Sequence, residues 1–512
     1  MHTHLPQGIR VEEGTNQEQA IQGVETRPTV VLGACQRGPL NTPVLVRSFS
    51  EFVRWFGQVT DELPLPHAVR LFFANGGREA LIVRVARNAQ HAYMDLPGDG
   101  GELRLWSRNP GEHDYLRAAV DYDGIDPVDD DCFNLTLQRL AEPGTEHVVD
   151  QEIFRNVSAR NDHPNFLPHI LAGSHLVRAD ERVPETRPRI TLNHKTGKPQ
   201  YFQNPSEFGH AGERITLTEV LGSSHTRSGL FALTEQYDYG QLYIPPLDFN
   251  TDVPVPVLRA AARICARRHA VLIADSPSAW NSVAEVAESI DRFSLRGPNV
   301  ALFYPWLENS ESRVSGSPKC LPPGGAVAGA LAHSALSEQP DAAPASHRMI
   351  LRGFRKFSDN VSERACFTLA SRGINSLRFS KGGRKVVWDP VLLNTEDSLE
   401  RNSLRERRII QYVSRSVEEG LRWVIFEEHS EQLWRRVNAQ VSEFLFGCWR
   451  RGLLAGSKPS MAFRVRCDVK TNPGVRRQHG ELGLTLELAP LVPSRFVELH
   501  LITPTASNAQ YG

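Results

Sequence analysis

The sequence predicts a multidomain chain mixing α/β and α+β folds: a mixed βα middle domain, an inserted β-rich outer domain, a C-terminal α+β domain and extended terminal arms. Three observations carry this. Strand-like and helix-like segments alternate through residues 27–88 and again through 226–395. A polar, loop-rich stretch of different pattern, 89–225, separates those two runs, and residues 396–502 read as amphipathic helices followed by three alternating strands. At 512 residues the chain also exceeds a single core, since domains usually hold about 50 to 250 residues.

Residues 1–26 carry few large apolar side chains, chiefly Leu5, Ile9, Val11, Ile21 and Val24, and are expected not to fill a core. Ile9 and Val11 nevertheless alternate with Arg10 and Glu12, the period of a half-buried strand, which predicts an extended arm that finds its sheet elsewhere. Residues 29–34 form an apolar strand, Arg37-Gly38-Pro39 a turn, and 43–46 a second strand. Ser48 and Glu51 stand at capping-box spacing, so a helix runs from there to Phe56 and closes at Gly57. A helix over 69–75 stops at Gly76-Gly77, and 81–86 returns as a strand.

Within the insert, the acidic run from Asp121 to Asp131 reads as a solvated loop ahead of an alternating strand at 133–137. The βα pattern then resumes, with strands at 242–244, 270–274 and 299–304 and helices at 255–268 and 282–292. Residues 308–346 are rich in Ser, Gly, Pro and Ala, which predicts irregular chain apart from a short helix after Pro322-Pro323. Segments 376–379 and 385–388 flank Lys381-Gly382-Gly383-Arg384 as a hairpin. In the C-terminal domain Leu404, Ile409, Ile410, Val413 and Val417 mark one helix and Leu433, Trp434, Val437, Val441, Phe444, Leu445 and Cys448 another; three strands follow, at 463–469, 482–488 and 497–501.

Composition narrows the function classes. An apolar share of 40% and a charged share of 23% fit a water-soluble globular protein. No apolar run reaches the roughly 18 residues needed to span a bilayer, and the start has neither region of a signal peptide, so synthesis and assembly in the cytoplasm without membrane insertion are expected. The seven cysteines are scattered and form no metal spacing. Net charge is −1, yet residues 401–480 hold 16 Lys/Arg against 8 Asp/Glu, an excess of +8 that leaves −9 elsewhere. Its arginines come as pairs flanking amphipathic helices, Arg435-Arg436 and Arg450-Arg451 among them, with no base-stacking strands, so an acidic protein surface is expected in place of nucleic acid.

The sequence carries no P-loop, dinucleotide fingerprint, zinc-protease helix or serine elbow, and neither an enzyme nor a cofactor or metal is expected. Asp275, at the end of an apolar strand where open α/β sheets place ligand groups, is the residue on which an enzyme alternative would rest, against a plain turn and helix start. Gly324-Gly325 ahead of a helix is a further candidate, for an anion, against a plain loop.

Taken in order, several segments resemble the contractile tail-sheath family of myophage tails, R-type pyocins and extracellular contractile injection systems. They are Pro6-Gln7-Gly8-Ile9-Arg10-Val11-Glu12-Glu13, Val31-Leu32-Gly33-Ala34 with Arg37-Gly38-Pro39, and Phe72-Phe73-Ala74-Asn75-Gly76-Gly77. Farther on come Phe303-Tyr304-Pro305-Trp306, Pro322-Pro323-Gly324-Gly325-Ala326-Val327-Ala328-Gly329, Gly373-Ile374-Asn375, Phe426-Glu427 and Leu433-Trp434. The resemblance implies a subunit that polymerises as rings or helical strands around an inner tube protein, contracts without nucleotide, and meets baseplate, terminal cap and possible sheath paralogues. It implies an N-terminal arm at 1–26, a middle domain at 27–88 and 226–395, an outer domain at 89–225, an inner domain at 396–502 and a tail at 503–512. Ile9 and Val11 in one arm, and Phe496, Val497, Leu499 and Leu501 at the other end, are then the inter-subunit strands. Arg435, Arg436, Arg450 and Arg451 become candidates for facing the tube. Asp389-Pro390-Val391 after Trp388 departs from the family's usual Gly-x-Arg-Thr, which keeps a non-contractile or cap-like paralogue as the alternative.

Overall fold

Short β-branched runs bounded by glycine and proline build the larger of two compact units, which lies within Thr26–Ser337 and His347–Asn402. The computed structural model describes residues 20–23, 27–112, 115–142, 145–180, 183–184, 186–191, 205–234, 236–309, 320–336, 349–388, 390–393 and 403–506. In the larger unit nine strands form one sheet, in the order Met349–Ile350, Lys385–Val387, Ile374–Phe379, Val300–Tyr304, Val271–Asp275, Gln241–Tyr243, Thr29–Gly33, Ala80–Arg84, Val44–Val46. The six from Ile374–Phe379 to Ala80–Arg84 run parallel. Such strands are covered on both faces, which is why Thr29–Gly33 and Val300–Tyr304 are buried at every position. Val30 lies opposite Leu81 on one side and Leu242 on the other, so chain from before and after the insert shares one sheet.

The helices bury apolar stripes against this sheet. Helix Phe49–Phe56 starts where Ser48 Oγ accepts the Glu51 N–H at 3.1 Å while the Glu51 carboxylate accepts the Arg47 N–H at 2.7 Å. Helix Pro64–Ala74 begins five residues earlier than its sequence suggests, because prolines fit a first turn whose N–H groups have no partner within the helix. The helix after Pro322-Pro323 is likewise not short: it runs Gly324–Leu336 and is buried all round at its start. Two glycines permit this, since a Cβ at Gly325 would stand 2.3 Å from the Ala68 carbonyl oxygen and one at Gly329 2.1 Å from that of Phe72. The two helices therefore meet backbone to backbone.

The insert holds two three-stranded antiparallel sheets, Tyr93–Gly98, Gly101–Ser107, Val177–Ala179 and Tyr115–Asp121, Cys132–Leu140, Val148–Ser158. Their inner faces meet in a core of Met94, Leu96, Leu105, Leu116, Val120, Phe133, Leu135 and Val177. Its entering and leaving limbs run side by side through bridges from Arg87 to Glu213, Gln90 to His210 and Tyr93 to Glu207. Arg84, fully buried, locks that junction by donating to the carbonyls of Cys35, Gln36, Gly38, Pro110 and Ala211. Peptide dipoles alone accept its guanidinium hydrogen bonds, and burial pulls its pKa down to about 10.

The smaller unit lies within Met1–Glu25, Glu338–Ser346 and Ser403–Gly512. Helices Leu404–Gly420 and Glu431–Arg450 start at serine caps, Ser403 and Ser430, and lay Val413, Val417, Leu433, Val437, Val441 and Leu445 against Leu484 and Leu486 of a three-stranded antiparallel sheet. Ile21, assigned to an arm without a core, is only 8% exposed and joins this core, where the absent side chain of Gly420 leaves it room.

Candidate functional site

The alternation at the C-terminal end produces an open sheet edge. In the order Phe463–Arg466, Glu481–Leu488, Val497–Pro504, the last strand pairs with the central one over eight positions from Leu488 opposite Val497 to Glu481 opposite Pro504. Val497, Leu499 and Leu501 are half-buried, while Glu498, His500 and Ile502 are exposed. No other strand pairs along its far side among the described residues, so that row of main-chain N–H and C=O groups faces outward. Phe496 falls one residue before the strand, its ring under the Arg464 guanidinium at 4.4 Å. Ile9 and Val11 lie outside the described residues. Beside the edge strand, the turn Arg422–Phe426 exposes Ile425 and Phe426, the latter by 85%, and the Ala506 N–H donates to the Glu427 carbonyl at 3.1 Å. An exposed aromatic at that place is a feature that the motif Phe426-Glu427 did not reveal, because exposure depends on what packs nearby.

The four arginines separate into two places. Arg435 and Arg436 start the Glu431–Arg450 helix and Arg450 and Arg451 end it, about 22 Å away at 1.5 Å per residue. Arg435 pairs with Glu431 at 3.4 Å, and Arg436 meets Glu427 at 3.3 Å while lying 4.5 Å over the Trp423 ring. Arg451 turns back to the Gly447 carbonyl, the Tyr412 hydroxyl and the Cys448 sulfur. Arg450 is exposed.

Asp275 and Gly324, far apart in sequence, are partners. One Asp275 oxygen accepts the Tyr243 hydroxyl and the other the Gly324 N–H, both at 2.7 Å. The protein's own carboxylate thus occupies the helix N-terminus that an anion would otherwise seek. Burial pushes the Asp275 pKa up to about 7, against the two hydrogen bonds and with help from the charge of Asp252. The adjoining cavity, lined by Asp252, Ser276, Phe293 and Trp306, measures ≈ 20 Å³. That suits one water and no organic substrate. Among the described residues no group of three or more His, Cys, Asp or Glu is placed to hold a metal ion, and no helix is long and apolar enough to cross a membrane.

No protein-family model matches the sequence, and no curated protein does. Solved structures do. A sheath tail protein from Listeria innocua is similar with a TM-score of 0.63 at 11% identity, covering 94% of this chain and 96% of its own. The sheath complex of the extracellular contractile injection system PVC, in its contracted state, is similar with a TM-score of 0.55 at 16% identity, over 98% of both chains. This chain has the fold of contractile tail-sheath proteins. The helical sheath of the anti-feeding prophage in its contracted state shares that fold, with a TM-score of 0.52 at 16% identity over 97% of this chain and 99% of its own. The sheath fold therefore accounts for both units and the insert, and the open edge and the Asp275 clamp are features within it.

Proposed function

We propose that this chain is a structural subunit of a contractile sheath, which polymerises around an inner tube and contracts to drive that tube through a target envelope. The observation that carries the reading is the extent of the likeness, nearly end to end in both chains, to sheaths solved in the contracted state. Residues 27–88 and 226–395 form the middle of the subunit, 89–225 its outer surface and 396–502 its tube-facing part, with an arm at 1–26; the tail expected from 503 starts later, because the last strand continues to Pro504 opposite Glu481. The strand with Val497, Leu499 and Leu501 suits a link between subunits, since an outward row of main-chain groups accepts a further strand without side-chain specificity. Ile9 and Val11 of a neighbouring arm supply that strand. Baseplate, terminal cap and tube proteins are the remaining partners. Arg435 and Arg450, exposed at opposite ends of one helix, give weak and breakable contacts to an acidic tube, because surface ion pairs contribute only ~0–1 kcal/mol each.

Electron microscopy of the chain produced with its neighbouring genes tests this: hollow cylinders of uniform diameter are expected. Removing residues 1–19, which spares the core residue Ile21, should leave a folded, soluble chain that forms no long cylinders. Normal cylinders from that truncated chain would overturn the arm assignment, and monodisperse monomers of the full chain under every condition would overturn the sheath reading.

A further inference from the structure

Basic residues gather at one end of the nine-stranded sheet. The hairpin joining Ile374–Phe379 to Lys385–Val387 turns through Lys381-Gly382-Gly383-Arg384, where a side chain at either glycine would meet nothing within 4 Å. The segment between Met349–Ile350 and Lys356–Phe357 is held against this hairpin, since the Leu351 N–H donates to the Lys385 carbonyl and the Lys385 ammonium to the Phe354 carbonyl. Arg352, Arg355, Lys356, Lys381 and Arg384 are all exposed there. The carboxylate of Glu308 lies 3.7 Å from both Arg355 and Lys356. Arg352, Lys381 and Arg384 form no ion pair among the described residues.

The complement is carried by the same chain. Asp123, Asp126, Asp129 and Asp130 are exposed on the loop between Tyr115–Asp121 and Cys132–Leu140, with Val128 84% exposed among them. The nearby Arg187 donates to the main-chain carbonyls of Asp129 in this loop and of Cys132 at the start of the next strand, and lies 3.8 Å over the Tyr122 ring. The carboxylates of Asp123, Asp129 and Asp130 accept no hydrogen bond among the described residues, and no ion pair joins the loop to the basic hairpin within one chain.

We propose that the basic tip at Arg352, Lys381 and Arg384 docks on the aspartate loop at Asp123, Asp129 and Asp130 of a second copy of this chain. The inference rests on the sheath reading and names a contact between its subunits. A nearly neutral chain that segregates its charge into two different, opposite patches is self-complementary in a head-to-tail sense. Such heterologous contacts propagate as rings or helices and not as closed dimers. Opposite potentials also set the register of subunits while leaving each contact exposed to salt. A phosphate-rich surface would fit the tip alone, but would leave the aspartate loop without a counterpart.

The test uses the full chain and measures the lowest concentration at which it sediments as polymer, in low and high salt. Lys381→Glu with Arg384→Glu should raise that concentration about tenfold, and Asp123→Lys, Asp129→Lys and Asp130→Lys together should do the same. Carrying both sets should restore it to within about threefold of the native chain. Unchanged polymerisation in both single sets, or a combined variant no better than the worse of them, overturns the contact while leaving the sheath reading intact. Loss of binding to anionic phospholipid vesicles in the tip variant, with polymerisation unaffected, overturns it in favour of a membrane surface. Failure of the native chain to polymerise even when produced with its neighbouring genes overturns both readings. Melting temperatures within about 2 °C of native show that the exposed changes leave the fold in place.

Discussion

Replacing Gly329 by alanine tests whether two helices meet backbone to backbone. In an exposed helix this change gains about 1 kcal/mol, because glycine has the greater unfolded-state freedom. Here the added Cβ would lie 2.1 Å from the Phe72 carbonyl oxygen and 2.9 Å from its carbon. Contact distances near 3.4 Å are ordinary, so the helix Gly324–Leu336 has to withdraw by roughly 1 Å from Pro64–Ala74, opening a core packed to crystal-like density. Overpacking of that kind costs about 1–3 kcal/mol, which cancels or outweighs the propensity gain, so a net loss of up to about 2 kcal/mol is expected in place of a gain. Gly447 is the control. It sits within Glu431–Arg450, where a Cβ would meet nothing within 4 Å, so Gly447→Ala should gain up to about 1 kcal/mol. Urea unfolding of the unassembled chain, followed by tryptophan fluorescence, reads both. Equal stabilisation by the two changes would refute the close approach.

Asp275→Asn addresses the clamp. A carboxyl raised from near 3.8 to about 7 keeps its proton in the folded chain where the unfolded chain has lost it, so its stabilising share declines as pH rises from about 4 through 7. The variant should therefore gain on the native chain between pH 5 and pH 8, by at most about 1.4 kcal/mol per pH unit, in urea midpoints. A difference independent of pH would refute the assignment. Arg84→Met should cost about 3 kcal/mol or more, because the carbonyls of Cys35, Gly38, Pro110 and Ala211 lose a common donor. Hydrogen exchange should quicken first in the paired limbs around Gln90 and His210; protection unchanged there would show that the insert is held by other means.

Much of this architecture is legible in the chain because it depends on near neighbours. Alternation at Val497, Leu499 and Leu501 foretold a strand with one side toward the core, and Ser48 with Glu51 foretold a helix start, since period and capping are local properties. The switch of pattern at 89 and its return after 225 suggested a separate stretch, and the strands on either side of it do share one sheet; the order of short motifs pointed to the sheath fold. What the chain alone left open is everything set by residues distant along it. Glycines at 325 and 329 read as loop and helix residues until the carbonyls of Ala68 and Phe72 are found against them. Arg84 reads as the end of a strand until the five carbonyls that surround its guanidinium are brought in from as far away as Ala211. Asp275 and Gly324 were separate candidates for chemistry, and folding turned them into one intramolecular cap. Four arginines offered together as candidates for facing one partner lie toward two ends of a helix, because helical rise converts fifteen residues into about 22 Å. Local sequence thus determines the elements and their apolar faces, through steric and hydrogen-bonding preferences that act within a few residues. Tertiary structure decides which polar groups are satisfied and which charges remain free, because burial and partners are set by contacts that sequence spacing does not encode.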